Sequence, residues 1–283
     1  MKAKPFIGGQ AIIEGVMMKG PKGIATAART PKGTIIVKRW KYQTVTRFFP
    51  LGLPFLRGVV FLFEMMIMGT KALTWSANQQ VEKEETMSSL ELGGTMVFSF
   101  ALATVLFLLV PYGVAWLAIG HEPTTFGFNV VDGIVRLIIF LAYIVLIGLA
   151  KDVYRLYQYH GAEHMTVNCF EAGLPLTVQN VKKCSTIHPR CGTSLLVYVI
   201  GLSIIIFSLI RAEVWYMNVL IRIIVVPLLG GIGYELLRLS AKYQDNPLLW
   251  LLTIPGKLTQ RITTRRPDGR QIEVAIRSLK AAL

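Results

Sequence analysis

Long apolar blocks separated by short polar stretches dominate this chain. Leu92 to Gly120 contains no charged residue, and neither do the 19 residues from Gly192 to Ile210. A helix rises 1.5 Å per residue, so a hydrocarbon core of about 30 Å takes about 20 residues, and both runs predict spanning helices. A buried helix of a water-soluble protein rarely runs that far without a polar stripe. Gly127 to Ala150 and Val214 to Leu237 predict two more spans, although they carry Asp132 and Arg136, and Arg222 and Glu235. Asp132 and Arg136 stand four residues apart, so on a helix they share a face and neutralise each other. Pro111 and Pro227 fall inside spans and predict kinks rather than ends.

A fifth block, Leu51 to Ser76, is only semi-apolar. Arg57, Glu64 and Lys71 recur every seven residues and form a charged stripe along one helical face. This pattern predicts an interfacial helix, or a re-entrant hairpin with its charges against protein or headgroups. Ahead of it, Ile24–Arg29 and Thr34–Val45 read as strands around a Thr30-Pro31-Lys32-Gly33 turn. Gly8 to Met18 is a Gly-flanked apolar run carrying Glu14, without the Gly-Lys-Ser/Thr of a phosphate loop. A polar linker with Glu82, Glu84 and Glu85 spans residues 77–91. Pro247–Leu258, with Trp250 inside and Arg261, Arg265 and Arg266 after it, predicts an interfacial amphipathic segment. Pro267-Asp268 then starts a helix lined by Ile272, Ile276, Leu279 and Leu283.

Composition agrees with a membrane protein: 53% of residues are hydrophobic and 16% charged, against about 25% in an average soluble domain. The mean hydropathy is +0.52. A net charge of +14 raises the question of nucleic acid, but the charge is distributed as topology requires. Residues 1–57 hold eleven Lys/Arg and one acid, and residues 238–283 hold nine and three. Both ends therefore read as cytoplasmic. The connection Gly120–Phe126 has no basic residue and reads as outside, whereas Lys151–Cys191 carries five Lys/Arg and three acids, an inside signal. Four crossings satisfy this pattern; a fifth through Leu51–Ser76 would export a basic tail. No early apolar core marks a signal peptide in Met1–Arg47. The cysteines Cys169, Cys184 and Cys191 all fall in the inferred cytosolic loop, where thiols stay reduced.

That loop also holds three of the four histidines. Tyr159-His160-Gly161-Ala162-Glu163-His164 places His160 and His164 one turn apart, provided the second span continues helically past Ala150. The spacing lets two imidazoles grip one divalent ion, and His-x-x-Glu-His is the inverzincin order of zinc hydrolases. Glu163 stands where a general base or further ligand is needed. A third ligand is expected from His188 or Cys191, in a loop that Pro189 and Gly192 turn sharply. Glu14, Glu171, Cys169 and Cys184 are poorer candidates, and His121 lies across the membrane. Arg190 could hold an anionic headgroup or an oxyanion. A blander reading competes, since a histidine pair at i,i+4 often only stabilises a helix end. The charges within the spans could line a transport path, but the self-neutralising Asp132–Arg136 pair and the place of Glu235 near the inner interface favour a structural role.

Four runs carry a family resemblance: Gly-Gly-Gln-Ala-Ile-Ile-Glu-Gly-Val-Met-Met-Lys-Gly-Pro, Tyr-His-Gly-Ala-Glu-His, His-Pro-Arg-Cys-Gly-Thr, and Leu-Thr-Gln-Arg-Ile-Thr-Thr-Arg-Arg-Pro-Asp with Ile-Glu-Val-Ala-Ile. The chain resembles the YqhQ-like family of bacterial membrane proteins, whose function is unknown and which is described as predicted metal-dependent enzymes. The resemblance puts His160, Glu163, His164, His188, Arg190 and Cys191 on the central motifs, and Gln10 and Glu14 on the N-terminal one. Met165 departs from the basic residue expected after the second histidine. A bacterial plasma membrane is implied.

The expected fold is an all-α polytopic membrane protein with a small β-rich cytosolic N-terminal region over residues 1–47. An interfacial or re-entrant helix follows over 48–76. A four-helix membrane domain spans 93–240, with a cytosolic His/Cys loop at 151–192, and basic C-terminal helices occupy 241–283. The expected activity is that of a metal-dependent hydrolase at the cytosolic face, with zinc on His160, His164 and His188 or Cys191. A membrane scaffold with a structural metal clip and a transporter or channel subunit are the alternatives. Expected partners are the bilayer, a lipid or membrane-protein substrate and a second copy of the chain, with no role for nucleic acid.

Overall fold

The computed structural model describes residues 7–80, 89–120, 125–210, 214–243 and 246–283. Glu82, Glu84 and Glu85 of the expected linker, and His121, lie outside them. The chain opens with an antiparallel meander: β1 (Gly8–Ile12), β2 (Gly15–Gly20), β3 (Gly23–Arg29) and β4 (Ile35–Trp40). The Gly-flanked run is thus a hairpin, with Gln10 opposite Met17 and Ile12 opposite Gly15. The β3–β4 turn falls at the expected tetrapeptide. There Gly33 takes a φ of 85°, a conformation that resists side chains, and donates to the Thr30 carbonyl at 2.8 Å.

Alternate residues of a strand face opposite sides, and both sides of this sheet are covered. Val16, Met18, Ala25 and Ala27 pack with α5 (Lys151–Glu171) and α10 (Gly269–Ala282). Met17 and Ile24 pack on the other side with α1 (Leu56–Ala77). Asp268 caps α10 through a reciprocal capping box with Gln271. A single core containing Met18, Tyr159, Met165, Ile272 and Leu279 joins the N-terminal sheet, the histidine region and the C-terminal helix in one body.

Among the described residues, four helical stretches are long and apolar enough to cross a membrane: Gly93–Ile119, Phe126–Ile147, Gly192–Leu209 and Tyr216–Ser240. The first comprises α2 (Ser89–Thr104), a π-helical turn (Val105–Leu109) and α3 (Val110–Ile119). The wide turn directly precedes Pro111, which has no N–H to donate to the preceding turn. The others lie on α4 (Phe126–Ile147), α7 (Gly192–Leu209) and α8 (Trp215–Lys242). Two further helices, the short α6 (Val178–Val181) and α9 (Pro247–Thr263), complete the chain.

One continuous helix, rather than a hairpin, forms from the semi-apolar block. The first turns of α1 lie on α8, where Arg57 forks onto Glu235 at 2.5 and 2.7 Å, and a Cβ on Gly58 would stand 2.7 Å from the Gly231 carbonyl. Its last turns run beneath the sheet, burying Ala72. Glu64 accepts from the Tyr42 hydroxyl, from Thr44 Oγ1 at 2.9 Å and from the Val45 N–H at 2.7 Å, while Lys71 is exposed. The stripe of charge thus meets protein at two of its three positions.

Two readings are sharpened by the structure. The second span does not continue to the histidines: α4 ends at Ile147 and α5 restarts at Lys151. Tyr157 folds back across this break, its hydroxyl donating to the Ile144 carbonyl at 3.0 Å, and a Cβ on Gly148 would lie 2.8 Å from its ring. The Asp132–Arg136 pair, in turn, is not self-contained. Asp132 accepts from Arg136 at 2.6 Å and also from Arg222 at 3.1 Å, and Arg222 lies 4.7 Å from the centre of the Phe207 ring. Arg136 further donates to Ser203 Oγ at 2.7 Å, and Arg222 to Asn129 at 2.8 Å. The cluster ties α4, α7 and α8 together.

Candidate metal centre

Helical spacing puts His160 and His164 on one face of α5, their ring centres 4.4 Å apart. Each ring is fixed by a backbone carbonyl. His160 Nδ1 lies 2.9 Å from the Thr263 oxygen, and His164 Nδ1 lies 2.6 Å from the Thr186 oxygen. A carbonyl oxygen only accepts, so each Nδ1 is the donor, and in the neutral imidazole this leaves the Nε2 lone pair for a metal. His160 Nε2 lies 3.2 Å from Cys191 Sγ. One ligand atom from each of His160, His164 and Cys191 lies within 4.8 Å of the other two.

This donor set fits a borderline ion such as zinc. Ligands at about 2.0–2.3 Å around a tetrahedral ion stand roughly 3.5 Å from one another, near the His160–Cys191 spacing. Three such ligands are one short of a tetrahedral set. Cys191 immediately precedes α7, so its sulfur sits at the positive end of a helix dipole, which favours a negatively charged ligand.

Of the two third-ligand candidates, the fold brings Cys191 to the histidine pair. His188 is buried nearby, its ring centre 5.8 Å from that of His164, but its Nε2 faces Glu171 Oε2 at 3.2 Å. Glu171 is also ion-paired with Arg190. Burial lowers the imidazole pKa of both His164 and His188. Glu163 is buried too, which raises its carboxyl above the ordinary range, opposed by His160 and His188. Its side chain lies so close to β1 that a Cβ on Gly9 would stand 2.9 Å from Cγ and Oε1.

Gln10 and Glu14 do not reach the cluster. Gln10 lies against α1, where a Cβ on Gly69 would stand 2.3 Å from its Oε1. Glu14 accepts from Arg155 Nε and Nη2 at 2.6 and 2.5 Å, and from the Tyr159 hydroxyl at 3.1 Å. Both hold the sheet onto its neighbouring helices.

Residues 53–283 match the profile of a family described as a protein of unknown function, DUF1385. The uncharacterized protein YqhQ of Bacillus subtilis strain 168 is 34% identical over 297 residues, covering 100% of this chain and 93% of that protein. The chain belongs to this YqhQ-like family. All three ligand candidates and Glu163 fall within the DUF1385 match. No solved structure matches significantly.

Several residues around the site escaped the sequence reading. Thr186 and Thr263 act through their carbonyls, which no side-chain pattern reveals. Gly161, inside the histidine motif, lets the chain after α9 lie on α5: a Cβ there would stand 2.0 Å from the Arg265 oxygen. Gln260 holds the His188 backbone from both sides. The signal for it was a run of small and polar residues, Thr253, Gly256, Thr259, Gln260 and Thr263, along a helix expected to be amphipathic. Two hollows lie elsewhere, of about 430 and 550 Å³, and both are bordered by Arg277 and Lys280 of α10.

Proposed function

We propose that this protein is a metal-dependent hydrolase of the bacterial plasma membrane, with its site and both termini at the cytoplasmic face. The observation that carries the reading is the convergence of His160, His164 and Cys191 beside a buried carboxyl, Glu163, whose proton affinity is raised. His160 and His164 would hold a divalent ion through Nε2 and Cys191 through Sγ, with zinc the best fit. The ion would supply Lewis acidity that makes water a competent nucleophile near neutral pH. Glu163 takes the proton of the attacking water and returns it to the leaving group. Arg190, held by Glu171 at the same end of α7, faces an anionic headgroup or oxyanion. The basic ends, and their packing with the histidine region in one body, support a single cytoplasmic compartment for all three. A site beside the start of a candidate span suits a lipid or membrane-protein substrate.

The experiment compares membranes from cells carrying wild-type protein, a deletion or Glu163→Gln. A lipid or protein species accumulating in both the deletion and Glu163→Gln, while the variant retains its metal, supports hydrolysis. Wild-type behaviour of Glu163→Gln contradicts it. A second reading, a structural metal clip in a scaffold, is favoured by the burial of His164 and Cys191. It predicts a silent Glu163→Gln and an unfolded His164→Ala.

A further inference from the structure

The side chain of Gln260 is fully buried and makes three hydrogen bonds away from its own helix. Its Oε1 accepts from the His188 N–H at 2.8 Å. Its Nε2 donates to the His188 carbonyl at 3.0 Å and to Ser194 Oγ at 3.1 Å. The amide therefore grips the chain on both sides of Cys191, three residues before it and three residues after. Within the same turn of α9, the Thr263 carbonyl orients His160. The helix is seated closely: a Cβ on Gly256 would stand 2.2 Å from Ser194 Oγ. Its opposite face is apolar and exposed at Trp250, Leu251 and Leu258.

We infer that Gln260 is a positioning residue, whose double hydrogen bond to His188 and bond to Ser194 hold Cys191 Sγ at the ligand-binding point of the two histidines. The inference rests on reading the cluster as a metal centre. Cys191 lies in an irregular segment between the buried backbone of His188 and the first turn of α7, and among the described residues its side chain bonds to His160, His164 and Thr193. The segment's position depends on what clamps its two ends. A primary amide can accept from the N–H and donate to the carbonyl of one residue at once, a pairing that an apolar side chain of equal length cannot reproduce. Loss of the clamp frees the thiolate ligand and leaves the histidine pair on α5 in place. The expected cost is that of losing a hydrogen-bonding partner behind a ligand, about 10–100-fold in metal affinity.

The test uses full-length protein with zinc and cobalt(II) as probes. Zinc affinity comes from competition with a chromophoric chelator, and thiolate ligation from the sulfur-to-cobalt charge-transfer band. Gln260→Met matches the length of the side chain without its hydrogen bonds. It is expected to weaken zinc binding about 10–100-fold and diminish the charge-transfer band. Gln260→Glu keeps an acceptor for the His188 N–H and is expected to fall between wild type and Gln260→Met; it carries the test alone if the methionine variant does not fold. Thr259→Val, which removes only a bond to the Gly256 carbonyl of its own helix, is expected to leave both readouts unchanged. Wild-type affinity and an undiminished band in both Gln260 variants overturn the inference while leaving the metal centre standing. Failure of the wild-type protein to bind either ion overturns the metal centre and this inference together.

Discussion

Cys191 Sγ stands 3.2 Å from His160 Nε2, although the two residues are 31 positions apart in the chain. His188, three positions before Cys191, instead points its Nε2 at Glu171. The two candidates for third ligand therefore separate experimentally. Cys191→Ala is expected to lower zinc affinity by more than the roughly 10–100-fold typical of losing a residue behind a ligand. His188→Ala is expected to keep one zinc per chain. Equilibrium dialysis with elemental analysis reads both.

Glu163 gives a prediction in which stability and activity move in opposite directions. Burial raises its carboxyl pKa, so the metal-free fold favours the protonated form. The stability from this group is fully present below the unfolded-state pKa and is lost as pH rises through the higher folded-state pKa. Glu163→Gln mimics the neutral form. In metal-free protein it is expected to raise the thermal unfolding midpoint at pH values above the ordinary carboxylate range and to flatten the decline of stability as pH rises. The same substitution is expected to abolish turnover. Thermal melts from pH 5 to 8 measure the stability side.

Gly161 and Gly93 test the close approach of the C-terminal segment to α5. A methyl group at Gly161 meets the Arg265 carbonyl at 2.0 Å, whereas at Gly93 it meets nothing within 4 Å. Gly161→Ala is expected to cost about 1–3 kcal/mol, the usual range for overpacking, and to weaken metal binding by displacing the Thr263 carbonyl. Gly93→Ala is expected to be neutral or mildly stabilising. Unfolding titrations in detergent compare the two.

The Asp132 cluster predicts an unequal response to loss of charge. Two guanidinium groups share one carboxylate, so Asp132→Asn leaves two buried cations without a counter-charge. It is expected to destabilise the bundle by about 3–5 kcal/mol. Arg222→Met leaves a neutral Arg136–Asp132 pair and is expected to cost less. A transport path would instead make both substitutions abolish function at unchanged stability, which activity and thermal melts taken together would reveal.

The apolar runs were legible because a span must be uniformly apolar for about 20 residues, and the helices in the structure start and stop within a few residues of the expected points. The His160–His164 pairing was legible because it depends only on helical spacing. Less legible was whatever tertiary packing decides. Strand β2 is buried on both faces from Gly15 to Met18, so its apolar run lacks the alternation that marks a half-exposed strand. Gln10 and Glu14 entered as candidates because the family resemblance puts them on its N-terminal motif. They instead fasten the sheet to α1 and α5, a role visible only once Gly69 and Arg155 are in place. The choice between Cys191 and His188 depended on Glu171, which lies 17 residues before His188 and claims its ring.

The central claim is that His160, His164 and Cys191 hold one metal ion. Its most direct test is elemental analysis of protein purified without chelators, beside His164→Ala purified identically. The account predicts about one zinc per wild-type chain and a large loss in the variant, with both proteins folded. Wild-type protein free of stoichiometric metal, or a folded His164→Ala that keeps it, would contradict the account.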